Sequence, residues 1–138
     1  MPTKLLVDMA KTASAMSPIG TRLPAFTLPT TDGKIYDSAA ELKSAQGILV
    51  AFICNHCPFV LHIEKQLAKV MNKAALQGIA AIAIHSNDVE NYPEDRPEKA
   101  EIRRQAIGYH IPFLSDLDQS VAKAFDATCT PDFFLYDN

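Results

Sequence analysis

Residues 52–60 read FICNHCPFV, so that Cys54 and Cys57 stand three apart with His56 between them and Pro58 directly after. A thiolate, not a thiol, attacks disulfide sulfur or peroxide oxygen, and a cysteine whose surroundings favour the anion is a candidate nucleophile. Cys57 holds the last position before the segment that Pro58 opens, and proline suits the first position of a helix, where a missing N–H costs nothing. Its sulfur is therefore expected near free N–H groups and the positive end of a helix dipole, both of which favour thiolate. The competing expectation is a buried cysteine acting as a small apolar residue. Strand end, helix start and a neighbouring thiol together favour the nucleophile.

Cys54 is the nearest partner. A disulfide needs Cα atoms roughly 4.4–6.8 Å apart, whereas three residues of extended chain span about 10 Å. A Cys54–Cys57 bond thus requires a turn, which Asn55-His56 can supply, and such a bond is expected to be strained and easily reduced. His56 either favours the Cys57 thiolate when protonated, or carries a proton to a leaving group, or is only a solvent-facing turn residue. His62 and His85 read as ordinary surface or strand-end residues, and Asp132 ranks behind His56 as an acid–base candidate. Cys54, His56 and Cys57 are also soft metal ligands, but zinc sites usually combine two distant ligand pairs, so Cys129, His62 or His85 would have to complete the set. The main reading takes no metal and no cofactor.

The elements that must position these residues are legible on either side of them. Phe26–Leu28 and Lys34–Tyr36 flank TTDG, where Asp32-Gly33 signals a hairpin turn. Gly47–Ile53 is a continuous apolar, β-branched run, the pattern of a central strand covered on both faces. From Pro58 the period changes: Val60, Ile63, Leu67, Val70 and Met71 recur by threes and fours, with Glu64, Lys65, Lys69 and Lys73 between them, predicting an amphipathic helix that stops at Gly78. Ile79–Ile84 supplies a second buried strand. After a loop punctuated by Pro93 and Pro97, Lys99–Ile107 reads as a helix, PFLSD as a short strand, and Asp118 as the cap of a helix carrying Val121, Ala124 and Phe125. Phe133–Tyr136 is a last strand, with Pro131 ahead of it, where proline is tolerated. The alternation predicts an α/β fold with a mostly parallel sheet covered by helices, and a hairpin at the front.

Composition narrows the function. The chain has 138 residues, enough for one core, with 48% hydrophobic and 21% charged residues and a net charge of -3. No basic run gives a footprint for nucleic acid. The apolar stretch near the N-terminus is cut by Asp8 and Lys11, which argues against a signal peptide, and no apolar run approaches the roughly 20 residues of a membrane span. These features predict a cytoplasmic protein, and there a close cysteine pair is more often redox-active or metal-binding than structural.

GTRLPAFTLPTTDGK, then a strand, CNHCPFV and a helix, then TCTPDFF, resembles the thioredoxin-fold redoxins, above all the peroxiredoxin-like group related to alkyl hydroperoxide reductase and thiol-specific antioxidant proteins. The likeness covers residues 20–138, leaving 1–19 as an N-terminal extension. It implies a thioredoxin-like fold in which Pro131 is a cis-proline beside Cys57, with Thr130, Pro131 and Pro58 lining the substrate's place. Cys129, two residues before that proline, would approach the same cleft as a second resolving thiol, or else be a buried apolar residue. The sequence departs from the family pattern. Val60 stands where thioredoxins carry their second cysteine, Cys54 where peroxiredoxins carry a threonine, and Val50 where they carry a proline. The implied activity is a thiol oxidoreductase: Cys57 attacks a peroxide or a disulfide, Cys54 or Cys129 resolves the product, and a thioredoxin-like or small-thiol reductant completes the cycle. A non-enzymatic interaction module on the same scaffold is the reading from another class. Redoxin domains normally follow the strand matching FFLYD with a further strand and helix, so the chain reads as C-terminally truncated. Alternatively the missing edge comes from another subunit, and an uncovered edge predicts self-association or low stability.

Overall fold

The computed structural model of the chain describes residues 13–15 and 17–137. The expectations for residues 1–12, and with them most of the N-terminal extension, lie outside the described residues. Among the described residues, six strands and four α-helices follow in the order β1 (Thr27–Pro29), β2 (Ile35–Asp37), α1 (Ser38–Glu41), β3 (Gly47–Phe52), α2 (Pro58–Leu76), β4 (Ile79–His85), α3 (Pro97–Ile107), β5 (Phe113–Ser115), α4 (Ser120–Phe125) and β6 (Asp132–Asp137). A 3-10 turn, Pro93–Asp95, precedes α3.

β1 and β2 form the antiparallel hairpin expected around Asp32-Gly33, with Leu28 opposite Tyr36 and Gly33 at φ 92°. The main sheet runs β5-β4-β3-β6. β3 is parallel to β4, and β4 to β5, while β6 returns antiparallel along β3. The sheet is therefore mixed, parallel in its first three strands, and the α/β thioredoxin-like arrangement holds. β6 lies at the sheet edge with Phe133 and Leu135 exposed on its outer face.

β3 is central because it has apolar side chains on both faces. Ala51 and Ile53 point into one core with Val60, Leu67, Ala68 and Met71 of α2, while Ile48, Val50 and Phe52 point into another with Phe26, Tyr36, Phe125 and Phe134. In the second core Phe52 meets both Phe125 and Phe134 edge-on, at centroid distances of 5.4 and 5.8 Å. Such tilted aromatic pairs add stabilisation beyond their buried area.

Three local expectations are corrected. The buried stripe of α2 is Val60, Glu64, Leu67, Ala68 and Met71, and Val70 is half exposed. Glu64 can turn inward because Arg103 of α3 meets it in an ion pair, its Nε donating to Oε2 at 3.0 Å. α3 begins at Pro97 rather than Lys99, with proline at its first position. The start of α4 is served by Asp116, whose carboxylate accepts from Val121 N–H at 3.1 Å and Ala122 N–H at 2.8 Å. Asp118, the expected cap, accepts from Ser120 N–H instead.

Candidate active site

β3 ends at Phe52 and α2 starts at Pro58, so residues 53–57 carry the chain from the C-terminal edge of the sheet into the helix. That edge is where open α/β sheets gather their functional groups. Cys57 is the N-cap residue of α2, with extended backbone at φ −72° and ψ 121° and no side-chain capping bond. The bend at Asn55-His56 folds the chain back far enough for Cys57 N–H to donate to Cys54 Sγ at 3.1 Å. The turn needed for a Cys54–Cys57 linkage is thus present. Both cysteines are free and buried.

The turn is held from outside itself. Asn55 donates its backbone N–H to Asp95 Oδ1 at 2.6 Å and its side-chain amide to the Glu94 carbonyl at 2.7 Å. His56 Nδ1 pairs with Asp95 Oδ2, and the imidazole stacks on Tyr92 at a centroid distance of 4.1 Å. Asn87 donates to the same carboxylate at 3.1 Å. Asp95 thus gathers three donors while its own side chain is entirely shielded from solvent. Burial alone would raise its pKa, but the bonds from His56 and Asn55 outweigh it and hold the carboxyl below its usual value. For His56, burial works against the cation, yet Asp95 keeps the pKa above the ordinary imidazole value. His56 is therefore a partner of Asp95 rather than a free turn residue.

The two sulfurs are inequivalent. The Cys57 pKa is lowered, first by a hydrogen bond with Cys54, against opposing burial, and further by Thr130 and the N–H groups of Val60 and Phe59 at the helix start. The Cys54 pKa is raised by the same bond, by burial and by the Asp95 charge. The N–H donated by Cys57 to Cys54 favours charge on Cys54, but it is one dipole against the helix terminus on one side and a buried carboxylate on the other. These surroundings favour the anion on Cys57 and the thiol form of Cys54. Alkylation of Cys57 by iodoacetamide should accordingly reach its plateau well below the ordinary thiol pKa of about 8.5. In Cys54→Ala the inflection should move upward, because the largest favourable contact is gone; an unmoved inflection would show that the helix end alone sets the thiolate.

The Thr130-Pro131 peptide bond is cis, as the family likeness implied. Thr130 lies beside both sulfurs: its hydroxyl is 3.7 Å from Cys54 Sγ, and its carbonyl is 3.5 Å from Cys57 Sγ, which can donate to it while protonated. Pro58 and Phe59 are exposed at the rim. Cys129 is buried, its Sγ against the Pro131 carbonyl at 3.7 Å, and burial raises its pKa. It is hydrogen-bonded to neither Cys54 nor Cys57. Asp132 is taken up by Ser14 Oγ at 2.6 Å and Thr128 N–H at 3.2 Å, which leaves it a structural rather than an acid–base place. His62 is exposed, as expected, but His85 is buried, and neither of its ring nitrogens has a hydrogen-bond partner among the described residues. Burial pushes its pKa down to about 4, so it is neutral at pH 7.

The residue that sequence reasoning missed is Asp95. The available signal was positional: an acid in the loop after β4, at the sheet edge where the cysteines also emerge.

Comparison with known proteins agrees with this architecture. The family model described as AhpC/TSA family matches residues 19–138. A crystal structure of a hypothetical protein from Sinorhizobium meliloti is similar at 48% identity and a TM-score of 0.86, covering 90% of this chain and 67% of that one. An uncharacterized conserved protein from Geobacillus kaustophilus is similar at 43% identity and a TM-score of 0.85, covering 90% and 66%. The chain thus spans about two thirds of the length of these two relatives. A thiol:disulfide interchange protein of the thioredoxin family from Chlorobium tepidum shares the fold, with a TM-score of 0.68 at 21% identity over 87% of this chain and 80% of that one. No curated protein matches. No helix among the described residues is long and apolar enough to cross a membrane.

Proposed function

This chain belongs to the AhpC/TSA family of thioredoxin-fold redoxins, and from that premise we propose that it is a thiol–disulfide oxidoreductase with Cys57 as nucleophile and Cys54 as resolving thiol. The observation that carries the reading is the turn at the start of α2, where Cys57 N–H donates to Cys54 Sγ at 3.1 Å and the Thr130 carbonyl lies 3.5 Å from Cys57 Sγ. The Cys57 thiolate attacks one sulfur of a substrate disulfide, forming a mixed disulfide and releasing the other sulfur as thiolate. Cys54 then attacks Cys57 Sγ, closing the Cys54–Cys57 disulfide and releasing the second substrate thiolate. The Cys54 proton goes to one departing thiolate and a solvent proton to the other, so the substrate gains two electrons and two protons while the protein, starting with Cys57 as thiolate, loses two electrons and one proton. A small thiol or thioredoxin-like reductant reverses the oxidation in a reducing cytoplasm.

Peroxide is the less favoured oxidant. The place of the peroxidase threonine is taken by Cys54 and that of the proline by Val50, and Arg103 and Arg104 are committed to Glu64 and Glu101. Stopped-flow reaction of the reduced protein with a small aromatic disulfide should be faster than with hydrogen peroxide. The reverse order would overturn disulfide exchange as the principal activity in favour of peroxide reduction.

A further inference from the structure

The same turn places three groups of different chemistry around one point. Cys54 Sγ, an imidazole nitrogen of His56 and a carboxylate oxygen of Asp95 all lie within 4.8 Å of one another. In a tetrahedral zinc site, with bonds of about 2.0–2.3 Å, ligand atoms stand roughly 3.3–3.8 Å apart. The widest pair here would need to close by only about 1 Å. Cys54 and Asp95 are buried, and His56 is the partly exposed member through which an ion would enter.

We propose that the reduced protein binds one borderline-soft divalent cation, of which Zn²⁺ is the type, through Cys54 Sγ, the His56 imidazole and the Asp95 carboxylate. The donor set of sulfur, nitrogen and oxygen suits zinc better than calcium or magnesium, which take oxygen ligands. The cation takes the place of the proton now shared between His56 and Asp95, and the Cys54 thiol proton leaves to solvent on binding. Asp95 is already oriented for the task by Asn55 N–H and the Asn87 amide, the outer hydrogen bonds that fix a ligating carboxylate. With the cation in place Cys54 is no longer a free thiol. The binding itself needs no redox step, and because it engages Cys54 it competes with the resolving step of the activity proposed above.

The test is anaerobic titration of the reduced, metal-free chain with Zn²⁺, read by calorimetry and by zinc content after desalting. One equivalent per chain is expected, with at least about tenfold weaker binding in Asp95→Asn, on the scale seen when a metal's supporting groups are altered. Because that variant can lose stability, X-ray absorption of the zinc-loaded wild type gives an independent reading. It should show a mixed shell, with sulfur at about 2.3 Å and nitrogen or oxygen at about 2.0–2.2 Å. Zinc content far below one equivalent, a shell of sulfur alone, or affinity unchanged in a folded Asp95→Asn would each overturn the site.

Discussion

Replacing Cys57 by serine should lower the rate of disulfide reduction by about a thousandfold or more, the scale on which removal of a covalent nucleophile registers. Serine is close to cysteine in size, so the core around Cys57 should survive, and an unchanged thermal melt would confirm that the loss is chemical. The hydroxyl has no accessible anion at neutral pH, and neither the helix terminus nor the Cys54 thiol can create one. The companion variants separate the roles. Cys54→Ser should still react once, then stall as a stable mixed disulfide on Cys57, because the resolving thiol is missing. Cys129→Ser should turn over much as wild type does, since Cys129 Sγ is directed at the Pro131 carbonyl and not at either active sulfur. Full activity in Cys57→Ser would remove the foundation of this scheme.

Asp95→Asn should cost about 2–4 kcal/mol of stability, measured by urea unfolding, because a shielded carboxylate with three donors is exchanged for a neutral amide. The pH dependence has a definite sign. The Asp95 pKa is depressed in the fold, so its contribution is present above the unfolded value of about 3.9 and is lost as pH falls through the folded value. The His56 pKa is raised, so its contribution is fully present below the unfolded value of about 6.5 and is lost as pH rises through the folded value. The gap in stability between wild type and Asp95→Asn should therefore be widest from about pH 4 to 6.5 and should narrow above it. A gap that widened with alkaline pH would contradict the pairing. The variant should also loosen the turn at Asn55-His56 and slow closure of the Cys54–Cys57 bond, since two of the three donors belong to that turn.

The route from sequence to site was legible where periodicity and punctuation agreed. Gly47–Ile53 announced a central strand by being apolar on both faces, and Pro58 and Gly78 bounded the helix, so Cys57 could be set at a helix start without any structure. Elements held by distant partners were harder to see. Glu64 looked like a surface residue of α2 until Arg103 brought an ion pair inward, and Asp118 looked like a cap until the more distant Asp116 supplied one. Asp95 lies 39 residues from His56, in a loop whose prolines and acids suggested only an irregular connection. No local pattern reports that such a loop folds over the cysteine turn. The cis state of the Thr130-Pro131 bond came from family likeness alone, since composition favours the trans form.

The most direct test of the central claim is peptide mapping of the reduced wild-type chain, quenched at intervals after one equivalent of oxidised glutathione. The scheme predicts a glutathione adduct on Cys57 first, replaced by a Cys54–Cys57 disulfide while Cys129 stays a free thiol. An adduct appearing first on Cys54 or Cys129, or a final linkage that leaves Cys54 free, would contradict it.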